Sequence, residues 1–168
     1  MQSYLTIALL AFAPPTVTWE NSYPAAQQVA ISQNKPLAVV FGPGANGWAK
    51  LLRTESSAPQ VEKLLAEHYI CVYVDTSTPE GQKIARNFDI TSSVGLVLSD
   101  RKGSTQAFWH QGDLTSDNAI HYLTKYADPN LVVAQTETVG STARTSYYQP
   151  VTPQYAPQYA APIRAANC

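Results

Sequence analysis

The amino-acid sequence predicts an α/β domain, with helices packed on both faces of a mixed central sheet, followed by a disordered C-terminal tail. The apolar run at residues 37–41 is typical of a strand buried on both faces. Segments with helical periodicity alternate with further apolar runs between residues 19 and 126. From residue 129 the chain becomes rich in Pro, Tyr, Gln, Ala, Ser and Thr. The sequence therefore divides into a domain at residues 16–128 and a tail at residues 129–168.

The first half of the domain is predicted to hold three helical segments and two strands. In chain order these are a helix at 23–33, the buried strand at 37–41, helical segments at 48–53 and 61–67, and a strand at 69–75. Lys35-Pro36 ends the first helix, because the residue before a proline is pushed out of the α region. Pro59 is expected to kink or divide the later helical stretch.

The second half of the domain is predicted to hold a helix, two strands and a last helix. Thr78 supplies a capping hydroxyl, and Pro79 suits the first position of the helix that follows. Strands are expected at 95–99 and 105–110, joined by residues 100–103, which have the composition of a hairpin turn. With a helix at 116–126, the predicted order is α, β, α, β, α, β, β, α. Parallel strands come first and an antiparallel pair comes last.

The charge of the chain excludes one class of partner. The 168 residues include 11 basic and 12 acidic side chains, for a formal net charge of -1. Such a balance gives no electrostatic reason to bind nucleic acid or an anionic membrane surface. The basic residues also form no stripe with interleaved aromatics. No nucleic-acid partner is expected.

The first residues carry a signal for export. Residues 5–13 form a short apolar run that ends in Ala11-x-Ala13, the small-residue spacing of a signal-peptidase site. Residues 1–15 are therefore predicted to be a signal peptide of a periplasmic or secreted protein. Residues 1–4 contain no Lys or Arg, which leaves an apolar segment packed on a cytoplasmic domain as the alternative. The run is shorter than the about 20 residues that span a bilayer, so no transmembrane helix is expected.

The order of the elements and several local motifs resemble the thioredoxin superfamily, over about residues 19–126. The matching motifs are Trp19, the alanine-spaced first helix, Lys35-Pro36, Phe41-Gly42 and Lys50-Leu51 around the redox loop, and Phe88-Asp89-Ile90 before the cis-proline loop. The resemblance implies a three-layer α/β/α sandwich with a mixed central sheet.

The departures from the family pattern concern its chemistry. The family carries two cysteines at a helix start, where the helix dipole lowers the thiol pKa. The degenerate loop here runs Gly44-Ala45-Asn46-Gly47-Trp48, with Ala45 and Trp48 at the two cysteine positions. Val94 holds the position of the cis-proline, and a trans bond is expected there because a non-proline cis bond costs roughly 2.5–4 kcal/mol. The resemblance therefore implies a domain that has lost thiol–disulfide exchange, with no catalytic residue and no cofactor.

The resemblance also implies where a partner binds. In the family an extended partner chain meets the surface beside the redox loop, which corresponds here to a groove at Trp48, Val94 and Gly95. Alanine and an exposed tryptophan in place of thiols would make this an apolar contact site. The sequence therefore predicts a non-catalytic binding or scaffold protein with a protein or peptide partner. It leaves the partner's identity and the oligomeric state open.

The two cysteines leave a redox alternative open. Cys71 lies among apolar residues of a predicted strand and is expected to be a small buried hydrophobe. Cys168 is the final residue, where an exposed thiol could react with a partner. A protein related to thiol–disulfide oxidoreductases and acting through Cys168 is therefore an alternative function.

A nucleotide-binding domain is a further alternative. The segment 42–47 satisfies G-x-G-x-x-G after a strand, and Asp75 ends the next strand, where a ribose-binding acid would lie. However, Asp75 lies 28 residues beyond Gly47, whereas the motif expects about 20. No zinc site is predicted, because the three histidines lack ligand spacing.

The tail contains an imperfect Pro-Gln-Tyr-Ala repeat at residues 153–162. Its few aliphatic residues cannot offset the entropy of ordering, so disorder with polyproline II character is expected. The tail would act as a recognition segment or as an inert linker. A structural envelope protein, in which the domain only positions the tail, is the remaining alternative.

Overall fold

The computed structural model describes residues 16–20, 22–45, 47–53, 58–139 and 141–144. These residues form an α/β fold with a mixed sheet. The helices are α1 (Tyr23–Gln33), a 3-10 helix (Gly47–Leu51), α2 (Ala58–His68), α3 (Pro79–Asn87) and α4 (Ser116–Ala127). The strands are β1 (Trp19–Glu20), β2 (Leu37–Gly42), β3 (Ile70–Asp75), β4 (Gly95–Ser99), β5 (Gln106–Gln111), β6 (Thr136–Thr138) and β7 (Ser141–Arg144). The predicted α/β class is confirmed.

The sheet has the strand order β1-β3-β2-β4-β5-β6-β7 among the described residues. β3 runs parallel to both β1 and β2, whereas β4 is antiparallel to both β2 and β5. Gly42 at the end of β2 lies opposite Asp75 at the end of β3, and Phe41 lies opposite Gly95 at the start of β4. The ends of β2 and β3 and the start of β4 therefore meet at one edge of the sheet.

Helices cover both faces of the sheet. Side chains alternate along β2, so Ala38 and Val40 join one core cluster while Val39 and Phe41 join the other. The first cluster includes buried residues of α2 and α4, and the second includes buried residues of α1 and α3. β2 is buried along its whole length, as its apolar run predicts. The arrangement is compatible with a three-layer α/β/α sandwich.

Local signals explain where the helices begin. The Thr78 side chain accepts a hydrogen bond from the Gly81 N–H at 3.0 Å, and Pro79 starts α3, as predicted. Pro59 lies in the first turn of α2 rather than at a kink within a longer helix. A proline is tolerated there because the first turn needs no N–H for intrahelical bonds. The segment predicted as helical at 48–53 is the separate 3-10 helix.

The fold continues past residue 128, where the composition places the start of the tail. β6 pairs in parallel with β5, with Glu137 opposite Phe108. The Thr136 side chain is buried, and its hydroxyl donates to the Gln106 carbonyl at 2.7 Å. Lys125 Nζ of α4 lies 2.7 Å from each carboxylate oxygen of Glu137. The predicted signal segment at 1–15, the Pro-Gln-Tyr-Ala repeat and Cys168 lie outside the described residues.

Candidate functional site

The predicted site residues lie at the edge where β2 ends and β4 begins. Ala45 is exposed in the loop after β2, and Trp48 is half-buried in the 3-10 helix. Val94 is half-buried directly before β4, and it packs with Trp48 against the core cluster under α2 and α4. The peptide bond before Val94 is trans, as expected. Asn46 lies outside the described residues.

Gly95 does not line a surface groove. It is buried in β4 between β2 and β5, and a Cβ added to it would lie 3.0 Å from the His110 carbonyl oxygen. The sheet register therefore places Gly95 at a position where a side chain would crowd the backbone of β5. Of the three residues predicted for the groove, Trp48 and Val94 remain partly accessible.

Trp48 belongs to an aromatic cluster formed by Trp19, Trp48 and Tyr73. The Trp48 ring centroid lies 6.2 Å from that of Trp19, and the Trp19 centroid lies 5.9 Å from that of Tyr73. Both distances fall within the range in which aromatic pairs stabilise one another, by about 0.5–1.5 kcal/mol. The expectation of an exposed tryptophan is corrected, because Trp19 of β1 covers part of the Trp48 ring.

Two glycines close the glycine loop, defined as residues 42–47. A Cβ added to Gly42 would lie 2.4 Å from the Gly47 carbonyl oxygen, and a Cβ added to Gly47 would lie 2.5 Å from the Tyr73 hydroxyl. Neither position accepts a side chain without movement of the loop. Gly44 has φ +76°, a conformation that glycine adopts without steric cost. The glycines of this loop are therefore required by its own backbone geometry.

Tyr73 and Asp75 tie the glycine loop to the end of β3. The Tyr73 hydroxyl lies 2.7 Å from the Gly42 carbonyl oxygen and 2.5 Å from that of Gly44, so its single proton is shared between them. The Gly44 N–H donates to Asp75 Oδ1 at 2.7 Å. The sequence singled out Asp75 only as a ribose-binding acid. The Asp75-x-Ser77 pattern, typical of an Asx-turn, was the available signal for its structural role.

Tyr73 and Asp75 together form the anchor of the glycine loop. Their hydrogen bonds determine the charge state of this anchor. Ser77 donates to Asp75 Oδ1 through its hydroxyl at 2.6 Å and through its N–H at 2.9 Å. These bonds and that from Gly44 hold the pKa of Asp75 below its ordinary value. Burial, and next the Asp75 charge, raise the pKa of Tyr73. At neutral pH the anchor thus combines an ionised carboxylate with a protonated phenol.

The C-terminal end of the 3-10 helix is bonded to the connection between β5 and α4. Leu52 and Leu114 form a parallel bridge, and the Arg53 N–H donates to the Leu114 carbonyl at 2.9 Å. Arg53 Nε also lies 2.5 Å from Asp113 Oδ2, and its hydrogen bond holds the pKa of Asp113 below its ordinary value. The segment that carries Trp48 is therefore held at both ends.

Cys71 offers no reactive thiol. It is 2% exposed in β3, and its Sγ lies 3.7 Å from the Leu65 carbonyl oxygen. Burial raises the pKa of its thiol to about 12, so the thiolate that acts as a nucleophile is essentially absent at neutral pH. The prediction that Cys71 is a small buried hydrophobe is confirmed.

A second concave surface lies beside the segment that leads into β4. This α3–β4 cleft has a volume of about 400 Å³ and is lined by Thr76, Gln82, Ala85, Arg86, Ile90, Thr91, Ser92 and Ser93. Hydroxyl groups of the cleft make hydrogen bonds within the fold. Thr76 Oγ1 donates to the Ser93 carbonyl at 2.7 Å, and Thr91 Oγ1 donates to Gln111 Oε1 at 3.0 Å. No motif of the sequence predicted this cleft.

The described residues contain no group of three His, Cys, Asp or Glu side chains that could hold a metal ion. None of the helices in the described part of the chain has the length and apolar character needed to cross a bilayer.

Comparisons with protein-family models and with curated proteins found no match to this chain.

Proposed function

We propose that this chain is a non-catalytic binding or scaffold protein, built on a thioredoxin-like domain that does not carry out thiol–disulfide exchange. The strand order β1-β3-β2-β4-β5 and the two helix-covered faces support the thioredoxin-like sandwich. Ala45 and Trp48 occupy the positions of the family's thiols, and Cys71, the cysteine of the described residues, is buried. The proposal therefore combines the architecture of the family with a site that lacks the thiols needed for thiol–disulfide exchange.

The observation that carries the proposal is the set of hydrogen bonds that the glycine loop makes with Tyr73 and Asp75. Its carbonyl groups bind the Tyr73 hydroxyl, and its Gly44 N–H binds the Asp75 carboxylate. The Gly47 N–H donates back to the Gly44 carbonyl at 3.2 Å. The loop is thus organised as a rigid support for the aromatic cluster, rather than as a helix start that activates a nucleophile.

The same contacts favour this function over nucleotide binding. A dinucleotide site needs free N–H groups in the glycine loop and a carboxylate free to bind ribose. Here Asp75 accepts hydrogen bonds from Gly44 and Ser77, and the helix after the loop is a 3-10 helix of 5 residues. The polar groups that such a ligand requires are used by the fold.

We infer that a protein or peptide partner contacts the domain at the tip of the glycine loop and beside Val94. Ala45 is exposed there, while Trp48 and Val94 are partly accessible. Small and apolar side chains at this edge can pack against a partner without the cost of burying charge. We further propose that the protein is exported, which the intact mass of the protein from its host would test through loss of the first residues.

Loss of redox activity is tested by insulin reduction with dithiothreitol, followed by turbidity. The full chain is expected to leave the rate at that of the reaction without protein. The double variant Ala45→Cys/Trp48→Cys, which restores a thiol at each family position, serves as the comparison. Acceleration by the natural chain would overturn the proposal, and loss of that acceleration in Cys168→Ser would identify the Cys168 alternative as correct.

The binding site is tested by in-cell cross-linking in the host with the full chain and two matched variants. Ala45→Glu adds a charged side chain at the exposed loop tip, whereas Ala134→Glu adds the same side chain at an exposed position just before β6. A cross-linked partner is expected to be lost in Ala45→Glu and kept in Ala134→Glu. Retention in both variants would place the binding site elsewhere, and capture of the same partner by the tail alone would favour the envelope alternative.

A further inference from the structure

The α3–β4 cleft has the chemistry of an anion site. Among its eight lining residues there is one cation, Arg86, and there is no carboxylate. Arg86 makes no ion pair among the described residues, since its guanidinium appears in none of their salt bridges. The volume of the cleft, about 400 Å³, lies within the roughly 300–1,000 Å³ range of small-molecule sites.

The hydrogen-bond donors of the cleft separate into two groups. The hydroxyl protons of Thr76, Thr91 and Ser92 are already donated, to Ser93 and Val94 carbonyls and to Gln111. The guanidinium of Arg86, the side-chain amide of Gln82 and the hydroxyl of Ser93 donate to no acceptor within the described part of the chain. The backbone N–H groups of Ser92 and Ser93 are likewise unused there by the fold.

The unused donors fit a phosphate group better than a carboxylate. An arginine guanidinium offers a planar fork that binds two oxygens of a phosphate at once. The Gln82 amide, the Ser93 hydroxyl and two N–H groups supply more donors than the two oxygens of a carboxylate need. The cleft is also larger than an inorganic phosphate, and Ala85 and Ile90 provide an apolar floor for an attached organic body.

We propose that the α3–β4 cleft binds a small phosphorylated organic molecule, with Arg86 and the free donors of Gln82 and Ser93 holding its phosphate. The cleft shares no lining residue with the surface at Ala45, Trp48 and Val94, and the proposal does not depend on the binding function proposed there. It gives the domain a small-molecule ligand without any catalytic step.

The test is a titration of the ¹⁵N-labelled full chain, followed by amide chemical shifts at constant ionic strength set with chloride. The probes are glycerol 3-phosphate, inorganic phosphate and glycerol. Glycerol 3-phosphate is expected to give saturable shifts at the Ser92 and Ser93 amides, with a Kd of about 1 mM or tighter. Inorganic phosphate is expected to bind more weakly, and glycerol is expected to give no saturable shift.

Two charge variants on one helix make the test specific. Arg86→Gln removes the proposed phosphate ligand, while Lys83→Gln removes the same charge from an exposed position of α3 outside the cleft. Arg86→Gln is expected to weaken binding about tenfold or more, because a charge-assisted bidentate contact is lost. Lys83→Gln is expected to leave the affinity unchanged. Shifts far from the cleft report whether each variant stays folded.

Three results would overturn the proposal. The first is the absence of a saturable shift with either phosphate probe. The second is equal weakening in Arg86→Gln and Lys83→Gln, which would show a general response to charge. The third is equal affinity for glycerol and glycerol 3-phosphate, which would show that the phosphate is not recognised.

Discussion

The glycine loop and β6 are both attached to the body of the sheet, but by different kinds of contact. The glycine loop is held by backbone groups that approach too closely for any side chain, together with a hydrogen bond donated by Tyr73 and one accepted by Asp75. β6 has one bridge to β5, a buried threonine hydroxyl and the Lys125–Glu137 ion pair. The first attachment depends mainly on close backbone approach, whereas the second depends on hydrogen bonds and an ion pair. They should therefore respond to different perturbations.

The largest expected effect is on the shape of the glycine loop. Gly42→Ala would place a Cβ 2.4 Å from the Gly47 carbonyl oxygen. The oxygen belongs to the backbone and the Cβ has no rotamer, so neither atom can rotate away. We expect a loss of about 3 kcal/mol in the free energy of unfolding, at the upper end of overpacking costs. Urea unfolding of the full chain measures this loss.

Gly44→Ala is the control, because a Cβ there meets nothing within 4 Å and only the positive φ is unfavourable. It should cost about 1–2 kcal/mol. Equal losses in the two variants would mean that close approach does not hold the loop.

A smaller effect is expected from the hydrogen bonds of the loop. Tyr73→Phe removes the hydroxyl shared by the Gly42 and Gly44 carbonyls while keeping the ring against Trp19. The expected loss is about 1–1.5 kcal/mol in the free energy of unfolding, as for other intramolecular hydrogen bonds. Tyr122→Phe is the matched control, since the Tyr122 hydroxyl has no hydrogen bond among the described residues. An unchanged stability in Tyr73→Phe would show that the hydroxyl does not anchor the loop.

The smallest effect is expected at β6. The Lys125 and Glu137 side chains are 34% and 35% exposed, so solvent screens their attraction. Lys125→Met should therefore cost only about 0.5–1 kcal/mol, measured by hydrogen exchange of the β6 amides. A loss as large as that of Gly42→Ala would show that the ion pair holds β6 as strongly as close backbone approach holds the glycine loop.

The pH dependence of this effect has a definite sign. The hydrogen bond from Lys125 is the main cause that holds the pKa of Glu137 below its ordinary value of 4.5. A lowered pKa in the folded state means that the stabilisation is complete above pH 4.5 and is lost as the pH falls through the lowered pKa. The difference between Lys125→Met and the natural chain should vanish in acid. A difference that persists at low pH would contradict this origin.

Elements with a local signal could be predicted from the sequence. The apolar run of β2 predicted its burial on both faces. Thr78-Pro79 predicted the start of α3, because capping depends on residues within one turn. β6 gave no such signal. Its Thr136 and Glu137 are polar, and their partners Gln106 and Lys125 lie 30 and 12 residues away along the chain, beyond the reach of a local pattern.

The candidate site was predicted in position but not in environment. Ala45 lies in the loop after β2 and Trp48 in the 3-10 helix that follows it. The burial of Gly95 follows from the register of three strands, and the covering of Trp48 follows from the pairing of β1 with β3. Register is set by the whole sheet, so no local pattern around either residue reports it.

The burial of Cys71 provides a built-in reporter of the stability of the whole domain. Its thiol lies beneath α2 in a strand that pairs on both sides, with β1 and with β2. At 2% exposure the thiol can react with a reagent only after the structure around it opens. In a Cys168→Ser background, the labelling rate would therefore follow global opening and would not register fluctuations confined to the glycine loop. Each variant could then be assigned to a local or a global loss of structure without any added probe.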